Sequence, residues 1–173
     1  QYAYTESPDG TLWAATSEGI YRKAAGQGFQ RADAPKPRAR LIAMSALTDS
    51  RGHVWFGGYE SGLYRHDGHG WLHLDTTRGL PDDTGYGLVE DAQQRLWISH
   101  GRGLYTLSLA EADRLAADPS SMAKVREYGS ADGLPVDGFN GGSGLAAIRD
   151  PSGMLWFASD AGVVRLDPAR LPE

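Results

Sequence analysis

Short runs of alternating apolar and polar residues, broken by glycine-rich turns, make up most of this chain. Leu41-Ile42-Ala43-Met44-Ser45-Ala46-Leu47 reads as a strand, and Asp49-Ser50-Arg51-Gly52 as the tight turn after it. Val54-Trp55-Phe56 then forms a second strand, Tyr59-Glu60-Ser61-Gly62 a second turn, Leu63-Tyr64-Arg65 a third strand and Gly70-Trp71-Leu72-His73-Leu74 a fourth. The unit recurs. Trp13, Trp55, Trp97 and Trp156 each follow Leu or Val, at intervals of 42, 42 and 59 residues. Six residues before them stand Ser7, Asp49, Asp91 and Asp150, and three before them Gly10, Gly52, Gln94 and Gly153. Six or seven residues after them come Gly19, Gly62, Gly103 and Gly162, each followed by an apolar pair such as Leu63-Tyr64.

Four short antiparallel strands in a 42-residue period match one blade of a β-propeller. A lone meander buries one face only. Stacked blades bury both, and the repeated Trp is placed to fill the gap between neighbours. The expected fold is therefore all-β: a propeller-type array of about four four-stranded antiparallel blades, centred on Trp13, Trp55, Trp97 and Trp156, in one domain over residues 1–173. The third interval is longer by 17 residues, since 59 − 42 = 17. Its Ala- and Leu-rich stretch, residues 109–117 followed by Asp118-Pro119, predicts a short helix inserted between strands of the third blade.

Composition narrows the function classes. Gly is abundant, 23 of 173 residues, which suits many tight turns and argues against a helical bundle. A net charge of -5 without a long basic run excludes a nucleic-acid partner. The chain has no Cys, which removes disulfides, thiolate-zinc sites and thiol catalysis. No apolar run is long enough to span a membrane, so no membrane contact is expected of these residues. The chain opens on Gln1 without a signal-peptide pattern, which reads as a piece of a longer protein or a processed one.

Asp49-Ser50-Arg51-Gly52-His53-Val54-Trp55-Phe56-Gly57-Gly58, then Gly62-Leu63-Tyr64-Arg65 and Gly79-Leu80-Pro81, resembles the two-component regulator propeller repeat. The likeness runs from Ser7 to Pro168. The stretch from Asp132-Gly133-Leu134-Pro135 through Phe139-Asn140-Gly141-Gly142 to Leu155-Trp156-Phe157 and Leu166-Asp167-Pro168 is similar to the last blades of such sensors. Blade 1 departs from the pattern with Ser7 in place of Asp and no preceding Gly-Leu-Pro. Blade 3 departs with Gln93-Gln94 in place of the turn Gly. The resemblance implies the sensor region of a bacterial hybrid histidine kinase or diguanylate cyclase, located in the periplasm as the extracytoplasmic part of an inner-membrane protein. It also implies rings of about seven blades. Four units would then form a small closed ring, an open arc, or a homo-oligomer.

Enzyme motifs are sparse. Gly141-Gly142-Ser143-Gly144-Leu145 lacks the final Gly of a nucleophile elbow and reads as a Gly-rich loop. His66, His69 and His73 straddle a turn and read as solvated rather than metal-binding. The Asp-x-x-Gly turns lack the alternating oxygen ligands of a calcium loop. Neither metal nor cofactor is expected.

Topology offers a better candidate. In a meander the turn between strands two and three lies on the same face as the link to the next blade. One face therefore gathers Tyr59, Glu60, Tyr86, His100, Arg102, Asn140 and Asp160, together with the links around Arg38, Asp82-Asp83-Thr84 and Val136-Asp137. Aromatic and hydrogen-bonding groups on such a rim suit a small polar ligand, with carbohydrate as the class the resemblance suggests. The expected function is non-enzymatic ligand sensing. Two alternatives stand beside it: a structural or dimerisation module without a small ligand, and a propeller-scaffold lyase or hydrolase using His100 with Glu60 or Asp160.

Overall fold

The computed structural model describes residues 2–36, 40–135, 138–141 and 144–171. Arg38, Val136, Asp137, Gly142 and Ser143, named above, lie outside the described residues. The rest form four small antiparallel sheets arranged as a four-bladed β-propeller with one short α-helix. Blade 1 comprises β1 (Ala3–Glu6), β2 (Leu12–Thr16), β3 (Gly19–Lys23) and β4 (Gln30–Arg31). Blade 2 comprises β5 (Ala43–Thr48), β6 (Val54–Gly58), β7 (Leu63–His66) and β8 (Trp71–Leu74). In blade 3, β9 (Gly87–Glu90), β10 (Arg95–His100) and β11 (Gly103–Ser108) lead into helix α1 (Leu109–Ala117) before β12 (Arg126–Tyr128). Blade 4 shows three described strands rather than four: β13 (Ala147–Arg149), β14 (Leu155–Ser159) and β15 (Gly162–Leu166). Each sheet runs in sequence order, and the first strand of each blade meets the first strand of the next, so β1, β5, β9 and β13 lie innermost.

The Asp of each repeat does two jobs at once. Asp49 Oδ1 accepts from the amides of Arg51 (2.9 Å) and His53 (2.8 Å), while its Oδ2 accepts from the Trp55 indole (2.8 Å). Asp91 does the same for Gln93, Arg95 and Trp97, and Asp150 for Ser152, Met154 and Trp156. One carboxylate thus closes the hairpin and satisfies the indole N–H that would otherwise be buried without an acceptor. In blade 1 two residues share the work. Ser7 Oγ accepts from the Trp13 indole at 3.0 Å, and Asp9 accepts from the Thr11 amide at 3.0 Å.

The seams between blades have a direction. The Trp face of one blade packs on the opposite face of the next. Trp13 meets Phe56 at 5.9 Å between ring centres and Trp71 at 6.0 Å. Trp55 is buried among Leu88, Leu96, Ile98 and Leu107, and Trp97 among Ala147, Leu155, Phe157 and Val164. Close approach at the inner rim needs bare backbone: a Cβ on Gly57 would fall on the carbonyl oxygen of Gly85 in the following link. Across the strands an Arg lies opposite the Trp in three blades, Trp13–Arg22, Trp55–Arg65 and Trp156–Arg165, and each guanidinium sits 5.4–5.9 Å from its ring centre.

Helix α1 fills the lower side of the second seam. Ser108 caps its start by accepting from the Glu111 amide at 3.1 Å, and Leu109, Ala112 and Leu115 enter the Trp55 cluster. On its other flank Asp113 bridges Arg65 (2.6 Å) and Arg51 (2.5 Å). Arg78 donates to the carbonyls of Leu115, Asp118 and Ser121 where the helix ends.

Among the described residues, the outer faces of blades 1 and 4 expose apolar side chains. On blade 4, Ile148, Val163 and the adjoining Leu145 are exposed and Trp156 is half-buried; on blade 1, Tyr4, Leu12 and Phe29 are exposed.

Candidate functional site

The upper rim, which carries the turns between second and third strands and the inter-blade links, is held by backbone bonds across the second seam. Ser61 and Gly62 amides both donate to the Asp83 carbonyl, at 2.9 and 2.7 Å, and Gly85 donates to Gly58 at 2.8 Å. Glu60 takes a left-handed conformation (φ 51°), and its amide donates to Thr84 Oγ1 at 3.2 Å. The Asp83 carboxylate in turn holds the amide of Thr76 at 2.6 Å. This lattice fixes the turns of blade 2 against the link to blade 3 and so positions the side chains above them.

Tyr86 is the centre of the arrangement. Its backbone amide donates to Ser99 at 2.8 Å, and its side chain packs against Gly141, where a Cβ would lie 2.9 Å from the Tyr86 Cβ. Burial raises its phenol pKa, and the charges of Tyr59, Asp82, Asp160 and Glu60 push it the same way. The ring thus stands within the electrostatic reach of turn residues of blades 2 and 4 and of Asp82 in the link between blades 2 and 3. Asn140 donates to Asp160 at 3.0 Å across the blade 4 turn, and Asp160 is anchored through its amide to the Gly138 carbonyl.

His100 and Arg102 form a second group around Asp82. The His100 Nδ1 lies 3.5 Å from Asp82 Oδ2, and the exposed Arg102 guanidinium lies 3.7 Å from the same oxygen. His100 is only 3 % exposed, with its ring edge-on to Tyr105 at 5.6 Å. Burial pulls its pKa below the ordinary value of 6.5, against the opposing pull of Asp82, so the imidazole is neutral at pH 7.

The structure therefore brings Tyr59, Glu60, Tyr86 and Asp160 into one electrostatic neighbourhood, ties Asn140 to it through Asp160, and places His100 and Arg102 on its Asp82 flank. His100 lies beside Asp82, 3.5 Å from its Oδ2, and makes no such approach to Glu60 or Asp160, the two acids expected beside it. Asp82 is the residue that sequence reasoning passed over. Its link is expected on this face, but an Asp pair after Gly-Leu-Pro reads as turn chemistry, and its Oδ1 does cap the Thr84 amide at 2.9 Å. The three clustered histidines are spent separately: His66 packs against Trp13 and Trp71, His73 stacks on Tyr64 and bonds the Ser61 carbonyl at 2.8 Å, and the His69 amide closes the Asp67 turn. Among the described residues no group of three or more His, Asp or Glu is placed to hold a metal ion.

No family model and no curated protein matches the chain. Solved structures do. The extracellular domain of one hybrid two-component system of B. thetaiotaomicron superposes with a TM-score of 0.74 at 15% identity, covering 96% of this chain and 21% of that one. A second such domain from the same organism gives 0.74 at 19% identity, covering 99% and 24%. A catalytically inactive His-to-Ala variant of virginiamycin B lyase from Staphylococcus aureus, with quinupristin, gives 0.63 at 20% identity, covering 98% and 56%. The chain spans about a quarter or less of the two extracellular domains and just over half of the lyase. At these identities the likeness is one of fold. Among the described residues no helix is long and apolar enough to cross a membrane.

Proposed function

We propose that this chain is a ligand-sensing propeller module of a bacterial two-component-type signalling protein, placed outside the cytoplasmic membrane, that binds a polar solute of the oligosaccharide class on its upper rim. The carrying observation is that Tyr86, packed on Gly141 of blade 4, shares one electrostatic neighbourhood with the carboxylate-bearing turns of blades 2 and 4, with Asn140 tied to Asp160. A sugar satisfies such a surface by laying an apolar ring face on Tyr86 or Tyr59 while its hydroxyls bridge Asp160, Asn140 and Glu60. Because the contacts come from different blades, occupancy favours one relative setting of those blades, and the signal is that population shift. The similarity to extracellular sensor domains supports this reading.

Thermal-shift screening against neutral and acidic oligosaccharides, followed by titration calorimetry, tests it. A ligand should stabilise the wild type, and Tyr86→Phe and Asp160→Asn should each weaken binding about threefold to tenfold, the effect of losing a hydrogen bond worth about 0.5–1.5 kcal/mol. Absence of stabilisation by every compound would return the rim to a purely structural role.

One observation favours a catalytic reading as second choice: a neutral His100 beside Asp82 in a fold shared with a lyase that a His-to-Ala change inactivates. The near-complete burial of His100 speaks against it, since a general base must reach its proton within about 2.6–3.2 Å. Turnover of any rim ligand that His100→Ala abolishes would reverse the order of the two readings.

A further inference from the structure

We propose that the cleft between blades 1 and 2, on the face of the propeller opposite the upper rim, is a second binding site, and that it takes a small zwitterion of the amino-acid class. Arg22 and His66 hold its carboxylate, and Asp9 and Asp67 its ammonium group. The cleft lies inside the array. Its walls come from the turns between first and second and between third and fourth strands of both blades, around Asp9, Gln27, Gly52 and Asp67. None of its lining residues belongs to the outer face of blade 1, where Tyr4, Tyr21 and Phe29 lie.

The walls are fixed. Thr48 Oγ1 donates to the Glu6 carbonyl at 2.8 Å and lies 2.7 Å from the Thr5 hydroxyl, which joins the inner strands β1 and β5. Pro8 sits so close to Gly52 that a Cβ there would fall 2.8 Å from its Cγ. Behind the cleft Trp13, His66 and Trp71 pack ring against ring, with centres 4.9–6.0 Å apart. The volume, about 460 Å3, lies within the roughly 300–1,000 Å3 of small-molecule sites.

The polar groups of the cleft lack their complement. In each of the three seams inside the molecule a guanidinium lies over the buried indole: Arg22 over Trp13, Arg65 over Trp55 and Arg95 over Trp97. Arg65 is paired with Asp113 at 2.6 Å and Arg95 with Asp91 at 2.7 Å. Arg22 has no carboxylate partner among the described residues, although Asp9 and Asp67 line the same cleft. Those two acids serve their own turns. Asp9 Oδ1 accepts from the Ser7 hydroxyl and the Thr11 amide and its Oδ2 from the Thr11 hydroxyl, while Asp67 Oδ1 accepts from the amides of His69 and Gly70. Ionised carboxylates keep acceptor capacity beyond these bonds. His66 accepts from the Gly68 amide on Nδ1 at 3.2 Å, so its neutral ring carries the proton on Nε2 and offers an N–H. Burial lowers its pKa and keeps the ring neutral at pH 7. A guanidinium and an N–H donor beside two carboxylates match a ligand that carries both signs. A plain anion would meet the two acids, and a plain cation the guanidinium.

Thermal-shift screening of the whole chain with the standard L-amino acids, one at a time at millimolar concentration, tests the inference. At least one should raise the melting temperature. In calorimetry its deaminated acid and its carboxamide should each bind about tenfold more weakly or not at all, because each lacks one of the two charges. Arg22→Met should weaken binding about tenfold to a hundredfold, the effect of losing a hydrogen bond to a charged group. Asp67→Asn keeps the turn acceptor, removes the charge and should weaken binding about threefold to tenfold. Arg22 is exposed, so Arg22→Met should melt close to wild type, and Arg22→Gln gives the same readout should it not. Tyr86→Phe on the rim should bind the amino acid as tightly as wild type, which separates this site from the oligosaccharide reading. Stabilisation by no amino acid, equal binding of the deaminated acid or of the carboxamide, or binding indifferent to Arg22→Met would each overturn the inference.

Discussion

The first and second seams are built from the same repeat yet end differently. In both, a buried Trp lies beneath an Arg from the neighbouring strand. In the second, helix α1 packs its apolar side into the lower gap and presents Asp113 to Arg65, which is 3% exposed. In the first, the chain turns tightly through Asp67-Gly68-His69-Gly70, and a cleft of about 460 Å3 remains, lined by Trp13, Arg22, His66 and Asp9. Arg22 is exposed and makes no ion pair with a described residue. The insertion thus supplies what the repeat lacks, an apolar plug together with a counter-ion, and without one the neighbouring seam keeps an open cleft. A 17-residue irregularity in the Trp spacing is therefore a packing element rather than a tolerated loop.

Four measurements would break or sharpen this contrast. The largest effect belongs to the indoles. Trp55→Ala should cost about 3–5 kcal/mol in denaturant unfolding, and Trp13→Ala clearly less, because its lower side already faces a cleft. Equal costs would mean that the helix adds no packing of consequence. Next comes the counter-ion. Asp113→Ala leaves Arg65 buried without its partner and should cost about 1–3 kcal/mol, reduced from the fully buried case because Asp113 is partly exposed. Adding Arg65→Met should recover most of that loss, and a failure to recover would assign the effect to the helix itself.

A smaller effect is expected from transplanting blade 2 chemistry into blade 1. Ser7→Asp alone puts two carboxylates side by side, since Ser7 Oγ lies 2.7 Å from Asp9 Oδ1, and should be neutral or destabilising. Ser7→Asp with Asp9→Arg reproduces the Asp49–Arg51 turn and should raise stability by up to about 1 kcal/mol in the same assay. The smallest and most local effect is a pH dependence. Hydrogen bonds from the Ser152 hydroxyl and the Trp156 indole hold Asp150 down to about 2, from 3.8. A depressed carboxyl contributes stability that is complete above its unfolded value and is lost as pH falls from about 3.8 towards 2. Stability of Asp150→Asn, followed through acid titration, should lack that component of the wild-type curve.

The architecture was legible because each repeat carries its own local code: the turn acid, the Trp six residues later and the Gly that ends the hairpin. Periodic spacing exposes such a code without knowledge of any long-range contact. Helix α1 was legible from composition, but its destination was not, since nothing in residues 109–117 announces that Asp113 will meet two arginines of the preceding blade. Trp71, off the repeat register, gave no sign that it would join Trp13 in the first seam. On the rim, topology alone placed the expected residues on one face. It could not show that His100 is buried edge-on against Tyr105 and beside Asp82, because burial of a residue at the turn depends on how the next link lies over it.

The doubled duty of the repeat carboxylate has one more consequence. Because the same oxygen pair that shapes a hairpin also grips the indole of that hairpin, a unit copied whole along a gene arrives with its wedge already aimed at whatever follows. Arrays of this kind can lengthen by duplication without re-evolving an interface, and blade number becomes a matter of copy count rather than of new chemistry.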